Sequence, residues 1–115
     1  MNEKIIQKYI PLTEATYYIL LTMVQPIHGY KLMQNVEEMT NGAVKLGPGT
    51  LYGATSKLVK DGLIEQVDSN EERRKSYKLT QLGREILKIE YKRLNLLIEN
   101  GKEIIAKLED YNEGI

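Results

Sequence analysis

The stretch GPGTLYGATSKLVKDGLIE, residues 47–65, carries the signals of one helix and of the strand that follows it. Pro48 suits a first helical turn because its ring fixes φ and it has no N–H to leave unpaired. Asp61-Gly62 supplies a stop, and Leu51 and Leu58 recur at i and i+7 on one face. We therefore expect a helix from Pro48 to Asp61 and a short strand over residues 63–67.

Two more helices are predicted before this stretch. Thr13 is a suitable cap for a helix that runs to about Val24, because Pro26 disfavours a helical conformation at the residue before it. A second helix is expected from about Gly29 to Met39, and Asn41-Gly42 then offers a left-handed exit. The apolar residues that predict the inward faces are Tyr17, Leu20, Leu21 and Val24 in the first helix and Leu32, Met33, Val36 and Met39 in the second.

A second strand candidate covers residues 75–80, in which Tyr77 and Leu79 share one face. A charged turn, residues 68–73, separates it from the first strand. Two helices followed by a hairpin predict a winged helix-turn-helix, a fold that is mainly α with a small β-hairpin. Such a fold points to DNA.

A long terminal helix is predicted next, capped by Thr80 and extending to about Leu108. Its apolar residues follow alternating steps of four and three, the period that buries a seam against another helix. A second copy of the chain is the simplest partner, since two-fold homodimers are the commonest assembly. The predicted dimer seam consists of Leu87, Tyr91, Leu94, Ile98, Gly101, Ile105 and Leu108. We assign residues 1–82 to a winged helix-turn-helix DNA-binding domain and residues 83–115 to a dimerisation helix, packed as a single structural unit.

The composition is that of a folded soluble chain, but its charge is balanced. Sixteen basic and sixteen acidic residues leave no net charge, although a nucleic-acid-binding domain is usually basic. DNA contact must therefore depend on local placement, because exposed charges farther apart than about 10 Å are screened. The 115 residues contain no Cys, no run long enough for a membrane span and no signal-peptide pattern, so we expect a cytoplasmic protein.

The sequence predicts no enzyme, no metal site and no cofactor. It has one His and no Cys, whereas catalysis needs a nucleophile, a base and an orienting group that converge. His28 is better interpreted as a helix cap or a packed side chain than as a base. The carboxylate pairs, such as Glu37-Glu38, lie on stretches expected to be exposed, and GPGT lacks the lysine of a phosphate-binding loop.

The predicted DNA contacts centre on the helix that starts at Pro48, where N–H groups and small residues allow close approach to phosphates and base edges. Arg73-Arg74-Lys75 is the densest positive run and would place basic groups along the DNA backbone. The alternative for Tyr52 is half-buried packing, and that for the basic run is a solvated turn that discourages strand pairing. The predicted DNA-binding residues are Lys45, Pro48, Gly49, Thr50, Tyr52, Gly53, Ser56, Lys57, Arg73, Arg74 and Lys75.

The ordered motifs PLTE, YYILLTM, HGYKL, LGPGTLY, KLVKDGLIE and RRKSYKLTQLG, spanning about Leu12 to Gly83, resemble the PadR family of bacterial transcriptional regulators. The single helix after Gly83 is similar to the small branch of this family, which includes multidrug-sensing repressors. The resemblance implies a homodimer with crossing terminal helices that binds a palindromic operator in double-stranded DNA, with half-sites about 34 Å apart. It also implies a repressor that releases DNA when a small phenolic or flat hydrophobic effector binds.

Two features depart from the family pattern. Thr55 occupies a position where relatives usually have Leu, and the chain lacks the Trp and Phe with which drug-binding relatives stack flat ligands. Tyr17, Tyr91 and Leu94 are the candidate effector contacts, although aromatic residues at helical spacing more often belong to a core. Two other functions stay open: a winged-helix protein-interaction module without direct DNA binding, and a small-molecule sensor that acts through a partner protein.

Overall fold

The computed structural model describes residues 2–67 and 75–113, and these residues form five helices and one three-stranded antiparallel sheet. In chain order the elements are α1 (Asn2–Tyr9), α2 (Glu14–Thr22), β1 (Ile27–His28), α3 (Gly29–Met39), α4 (Pro48–Lys60), β2 (Ile64–Val67), β3 (Ser76–Leu79) and α5 (Gln81–Glu113). The strand order is β1-β3-β2, so the returning strand of the hairpin lies in the centre. The predicted fold class, a winged helix-turn-helix with a long terminal helix, is confirmed.

The caps of α2 and α3 are side chains that the sequence places just before each helix. Thr13 Oγ1 accepts a hydrogen bond from the Thr16 N–H at 3.1 Å. His28 Nδ1 accepts one from the Lys31 N–H at 3.3 Å, so the interpretation of this histidine as a cap is confirmed. Each bond satisfies an N–H group that a helix start would otherwise leave unpaired.

The turn between α3 and α4 has the predicted left-handed exit. Asn41 and Gly42 adopt positive φ angles of 53° and 82°. Thr40 holds the turn, because its Oγ1 donates to the Val36 carbonyl at 2.9 Å and accepts from the Val44 N–H at 3.0 Å. These local contacts set the direction in which α4 starts.

The hydrophobic core lies where α2, α3 and α4 meet the sheet and the first turns of α5. Two expected core residues are in fact exposed, Val24 by 42% and Met39 by 51%. Helix α2 ends at Thr22 rather than near Val24, since the Met23 carbonyl accepts the Leu79 N–H of β3 at 2.9 Å. Val24 therefore lies past the helix, and Met39 lies in the last turn of α3. The buried apolar residues are Tyr9, Ile19, Leu20, Met23, Leu32, Val36, Leu51, Leu58, Leu63, Ile64, Leu79 and Ile86.

The start of α5 is fixed against the end of α4. Thr80 Oγ1 donates to the Gly62 carbonyl at 2.5 Å and accepts from the Gly83 N–H at 3.1 Å. A Cβ atom at Gly83 would lie 2.0 Å from the Leu63 carbonyl oxygen, so only glycine allows this approach. The first turns of α5 are consequently part of the winged-helix core.

One charged side chain is buried in the N-terminal third of α5. Glu90 is 1% exposed, and its Oε2 accepts the Leu12 N–H at 2.6 Å. Arg93, one turn further along, donates to both carboxylate oxygens. The hydrogen bonds from Arg93, and to a smaller extent that from Leu12, hold the pKa of Glu90 below its usual value of 4.5, although burial opposes this shift.

The Glu90→Gln variant tests this assignment through the pH dependence of stability. Because the folded-state pKa is lowered, the carboxylate stabilises the fold above the unfolded-state pKa of 4.5 and loses that contribution as the pH falls through the folded value. The free energy of unfolding, measured by urea denaturation, should therefore differ most between wild type and variant at neutral pH. The difference should shrink in acid; a difference that does not change with pH would contradict the assignment.

Candidate nucleic-acid interface

One face of α4 is buried and the opposite face is exposed. Leu51, Thr55 and Leu58 point into the core, each at most 4% exposed. The Thr55 hydroxyl donates to the Tyr52 carbonyl at 3.2 Å, so the polar side chain is satisfied within its own helix. All seven predicted contacts on α4 are exposed: Pro48, Gly49, Thr50, Tyr52, Gly53, Ser56 and Lys57.

The exposed face contains two glycines that the fold does not need. A methyl group at Gly49 or Gly53 would meet no atom within 4 Å, and neither residue has a positive φ. A glycine in a helix interior costs about 1 kcal/mol relative to alanine. Within the described part of the chain, no packing contact and no backbone angle therefore requires glycine at these two positions.

The same face is positively charged. Helix α4 contains Lys57 and Lys60 and no acidic residue. Lys60 is exposed and follows Gly53 at i+7, so it lies on the same stripe. The sequence-based prediction omitted Lys60, although its spacing from Gly53 was the signal that could have revealed it.

The start of α4 is open to an anionic partner. Gly47 is the N-cap residue, and it has no side chain that could accept the N–H groups of Gly49 and Thr50. The positive end of the helix dipole adds to this preference for negative charge. The predicted role of the Gly-Pro-Gly segment is therefore compatible with its geometry.

A groove of about 620 Å³ separates α4 from the sheet. Its floor is formed by buried core residues, and Tyr30 and Tyr52 stand on its rim with 65% and 64% of their surfaces exposed. Lys75, which directly precedes β3 in the wing (the hairpin of β2 and β3), also lines this groove, so the lysine and α4 border the same space. Tyr30 was missed from the sequence; its place two residues after the cap residue His28 was the available signal. Arg73 and Arg74 lie outside the described residues.

Two of the predicted lysine contacts have partners within the chain. Lys45, in the turn before α4, lies 3.6 Å from a carboxylate oxygen of Glu37, and both side chains are at least half exposed. Such a pair stabilises little and leaves the lysine free to exchange partners. Lys57 Nζ lies 5.5 Å from the centre of the Tyr9 ring, which places this lysine on the flank of α4 that faces α1.

The C-terminal end of α4 is tied to α1. Asp61 Oδ2 accepts hydrogen bonds from the Tyr9 hydroxyl at 2.6 Å and from Lys8 Nζ at 3.0 Å. These two hydrogen bonds lower the pKa of Asp61, and the bond from Tyr9 has the larger effect. Burial, followed by the contact with Asp61, raises the pKa of Tyr9. Asp61 therefore stays ionised and Tyr9 stays protonated at neutral pH.

Only part of the predicted dimer seam is covered by other residues of the same chain. Leu87 packs against the core of its own chain, and Leu94 is half-buried. The other apolar seam residues are more than half exposed: Tyr91, Ile98, Ile105 and Leu108. Leu97 and Ile104 extend the same apolar surface. The structure of a single chain leaves the dimer a prediction.

The candidate effector residues surround part of a second cavity, of about 450 Å³, between α2, α5 and the end of α3. Tyr17 and Leu94 both line it, together with Tyr18 and the buried Glu90. Tyr91 is not among the lining residues, although it adds to the effect of burial in raising the pKa of Tyr17. Two of the three predicted effector contacts thus meet at one cavity.

The described residues contain no group of three or more His, Asp or Glu side chains that could hold a metal ion. Among the helices that the structure describes, none is long and apolar enough to cross a membrane.

The five helices and the three-stranded sheet define a winged helix-turn-helix protein. The model of the transcriptional regulator PadR-like family matches residues 18–89, which is more than half of the 115 residues. The chain therefore belongs to the PadR-like family and is a DNA-binding regulator by class.

Two solved structures share the fold, and one curated relative matches part of the chain. A transcriptional regulator from Clostridium thermocellum has a TM-score of 0.67 at 22% identity over 87% of this chain and 96% of its own. A PadR-like transcription factor from Bacteroides fragilis has a TM-score of 0.65 at 29% identity over 78% of this chain and 88% of its own. A 37.1 kDa protein in transposon TN4556 of Streptomyces fradiae is 35% identical over 65 residues, 56% of this chain but only 18% of the relative.

The variant Gly53→Ala should have opposite effects on folding stability and on DNA affinity. Alanine should raise the free energy of unfolding by about 0.5–1 kcal/mol, because the helix gains propensity and the methyl group meets no neighbour. The same variant should weaken DNA binding by about tenfold, because the methyl group prevents close approach. Thermal denaturation and fluorescence anisotropy measure the two effects. Unchanged DNA affinity in a stabilised variant would contradict the interpretation of the glycines.

Proposed function

We propose that the protein is a homodimeric, sequence-specific repressor that inserts α4 into the major groove of double-stranded DNA. The observation that carries this proposal is the exposed face of α4, which combines open glycines, exposed lysines and the absence of acidic residues in that helix. Thr50, Ser56 and Gly53 would face base edges. Lys75 of the wing, with Arg73 and Arg74 beside it in sequence, would contact the DNA backbone.

The balanced net charge is compatible with this function because α4 itself contains no acidic residue. Helix α5 carries seven acidic and six basic residues along its 33 positions. On the wing, Glu65 lies 3.5 Å from Lys78. Phosphates in contact with α4 respond mainly to charges within about 10 Å. The lysines of α4 and Lys75 therefore act on DNA more strongly than the whole-chain charge suggests.

Dimerisation would proceed through the exposed seam of α5. The apolar side chains of Ile98, Ile105 and Leu108 form a contiguous row at heptad spacing, and a row of this kind is unfavourable in water. A two-fold pair would present two copies of α4 to successive major grooves, about 34 Å apart. A palindromic operator follows from that symmetry.

Release from DNA would follow from effector binding in the cavity lined by Tyr17 and Leu94. The cavity contacts α5, so a flat hydrophobic molecule there would favour one arrangement of the two subunits over another. The free energy of operator binding can weaken by at most the difference between the effector's binding free energies for those two arrangements.

The direct test is selection of binding sites from random double-stranded DNA, followed by titration of the selected operator at several salt concentrations. The wild type should enrich a palindrome. Thr50→Ala should change which operator variants are preferred, whereas Lys75→Ala should weaken binding to all of them and lower the salt slope by about one. Lys107→Ala is the matched control, since Lys107 lies about 39 Å along α5 from its start. A reporter gene behind the selected operator then tests for repression.

Failure to bind any DNA at low salt would reject the proposal and favour the protein-interaction module. Enrichment of DNA together with wild-type behaviour of both Thr50→Ala and Lys75→Ala would reject the contact assignment but leave DNA binding intact.

The dimer has its own prediction. Ile98→Lys places a charge in the middle of the seam and should convert the protein to a monomer in sedimentation velocity, because an unpaired charge at a buried contact is strongly unfavourable. Leu96→Lys is the control: Leu96 is 60% exposed on α5 but lies roughly 160° around the helix from Leu94. Equal effects of the two substitutions, or none, would exclude the predicted seam.

A further inference from the structure

A four-residue connector, defined as Tyr9 to Leu12, links the end of α4, the proposed recognition helix, to the long helix α5. Its first residue belongs to the last turn of α1, and its last precedes the cap of α2. Each end makes a hydrogen bond to a carboxylate on a different helix. No role in DNA contact or in the dimer seam requires these bonds.

The first end of the connector is held by the end of α4. The Tyr9 hydroxyl donates to Asp61 at 2.6 Å, and Lys8 Nζ donates to the same oxygen at 3.0 Å. An acidic residue at a helix C-terminus is disfavoured by the helix dipole, so these donors offset an unfavourable position. The Tyr9 side chain is buried, which fixes its hydroxyl in place.

The second end is held by α5. The Leu12 N–H donates to Glu90, whose carboxylate is almost fully buried and is also bound by Arg93. Charge-assisted hydrogen bonds of this kind are roughly twice as strong as neutral ones. A displacement of α5 would therefore pull on the backbone at Leu12.

The connector between these ends is short and stiff. Three residue steps span at most about 11 Å, and Pro11 fixes one of the backbone torsions. Ile10 and Leu12 also pack against the core. Such a segment transmits a movement of one end to the other more readily than a long, flexible loop would.

We propose that the connector couples the position of α5 to that of the C-terminal end of α4, and so makes Tyr9, Asp61 and Glu90 positioning residues for DNA binding. This inference rests on the proposed function, and it adds a physical route for regulation. Leu12 and Glu90 line the 450 Å³ cavity, so an occupant there would act directly on one end of the connector. The other end would then shift the recognition helix.

A pair of variants with equal changes in charge tests this coupling. Asp61→Ala removes the acceptor that holds the connector to α4. Glu65→Ala removes one carboxylate and one ion pair, that with Lys78, from the wing without touching the connector. Tyr9→Phe is a milder second variant that removes only the hydroxyl and keeps the buried ring, so it serves if Asp61→Ala unfolds.

The first readout is the dependence of affinity on half-site spacing in the selected operator. Wild type and Glu65→Ala should bind an operator lengthened by one base pair about tenfold more weakly than the original. Asp61→Ala should reduce this penalty to about threefold or less, because the recognition helix is no longer held in register with α5. If the spacing penalty of Asp61→Ala equals that of Glu65→Ala, the connector does not position α4 for DNA binding.

The second readout does not depend on DNA. The chain has no Cys, so spin labels at Lys60→Cys and Lys88→Cys report only the distance between α4 and α5. Dilution with unlabelled chain removes signals between subunits. The distance distribution should be narrow in wild type and in Glu65→Ala and broader in Asp61→Ala. A distance distribution in Asp61→Ala that equals that of wild type overturns the coupling, even if wild type binds DNA. If wild type selects no DNA, the proposed function alone is overturned.

Discussion

The rest of the structure depends on the burial of one stripe of α4. Leu51, Thr55 and Leu58 face the core. Rotation of the helix by one residue, about 100°, would bring the polar side chain of Ser56 in one direction, or of Lys57 in the other, into the core. Burial of this stripe therefore decides that Gly53 and Lys60 face outward. The orientation of the surface proposed to contact DNA is thus a consequence of core packing, and the groove beside Tyr52 follows from the same orientation.

The parts of the fold that the sequence predicts well are those with local physical causes. The bounds of α3 and the start of α4 were correct because caps, Pro48 and the left-handed Asn41-Gly42 act within a few residues. The inward face of α4 was also correct, since Leu51 and Leu58 repeat with the helical period. The exposure of every predicted contact on α4 followed from that face.

The parts that the sequence did not reveal depend on partners distant along the chain. Strand β1 has two residues and exists because Ile27 pairs with Tyr77 of β3. The burial of Glu90 requires the N–H group of Leu12, 78 positions earlier. Helix α1 was not predicted, and its contact with the end of α4 through Tyr9 has no local signal. The exposure of Val24 likewise follows from a bond to β3 that shortens α2.

The α4 face and the α5 seam together give a consistent account of a regulator in which recognition and assembly are built on separate helices joined by a common core. The claim at its centre is that α4 occupies the major groove. Dimethyl sulfate footprinting on the selected operator tests it most directly, because the reagent methylates guanine N7 in the major groove and adenine N3 in the minor groove. The account predicts two protected patches of guanine N7, one helical turn apart and related by symmetry; protection confined to adenine N3, or none, would contradict it.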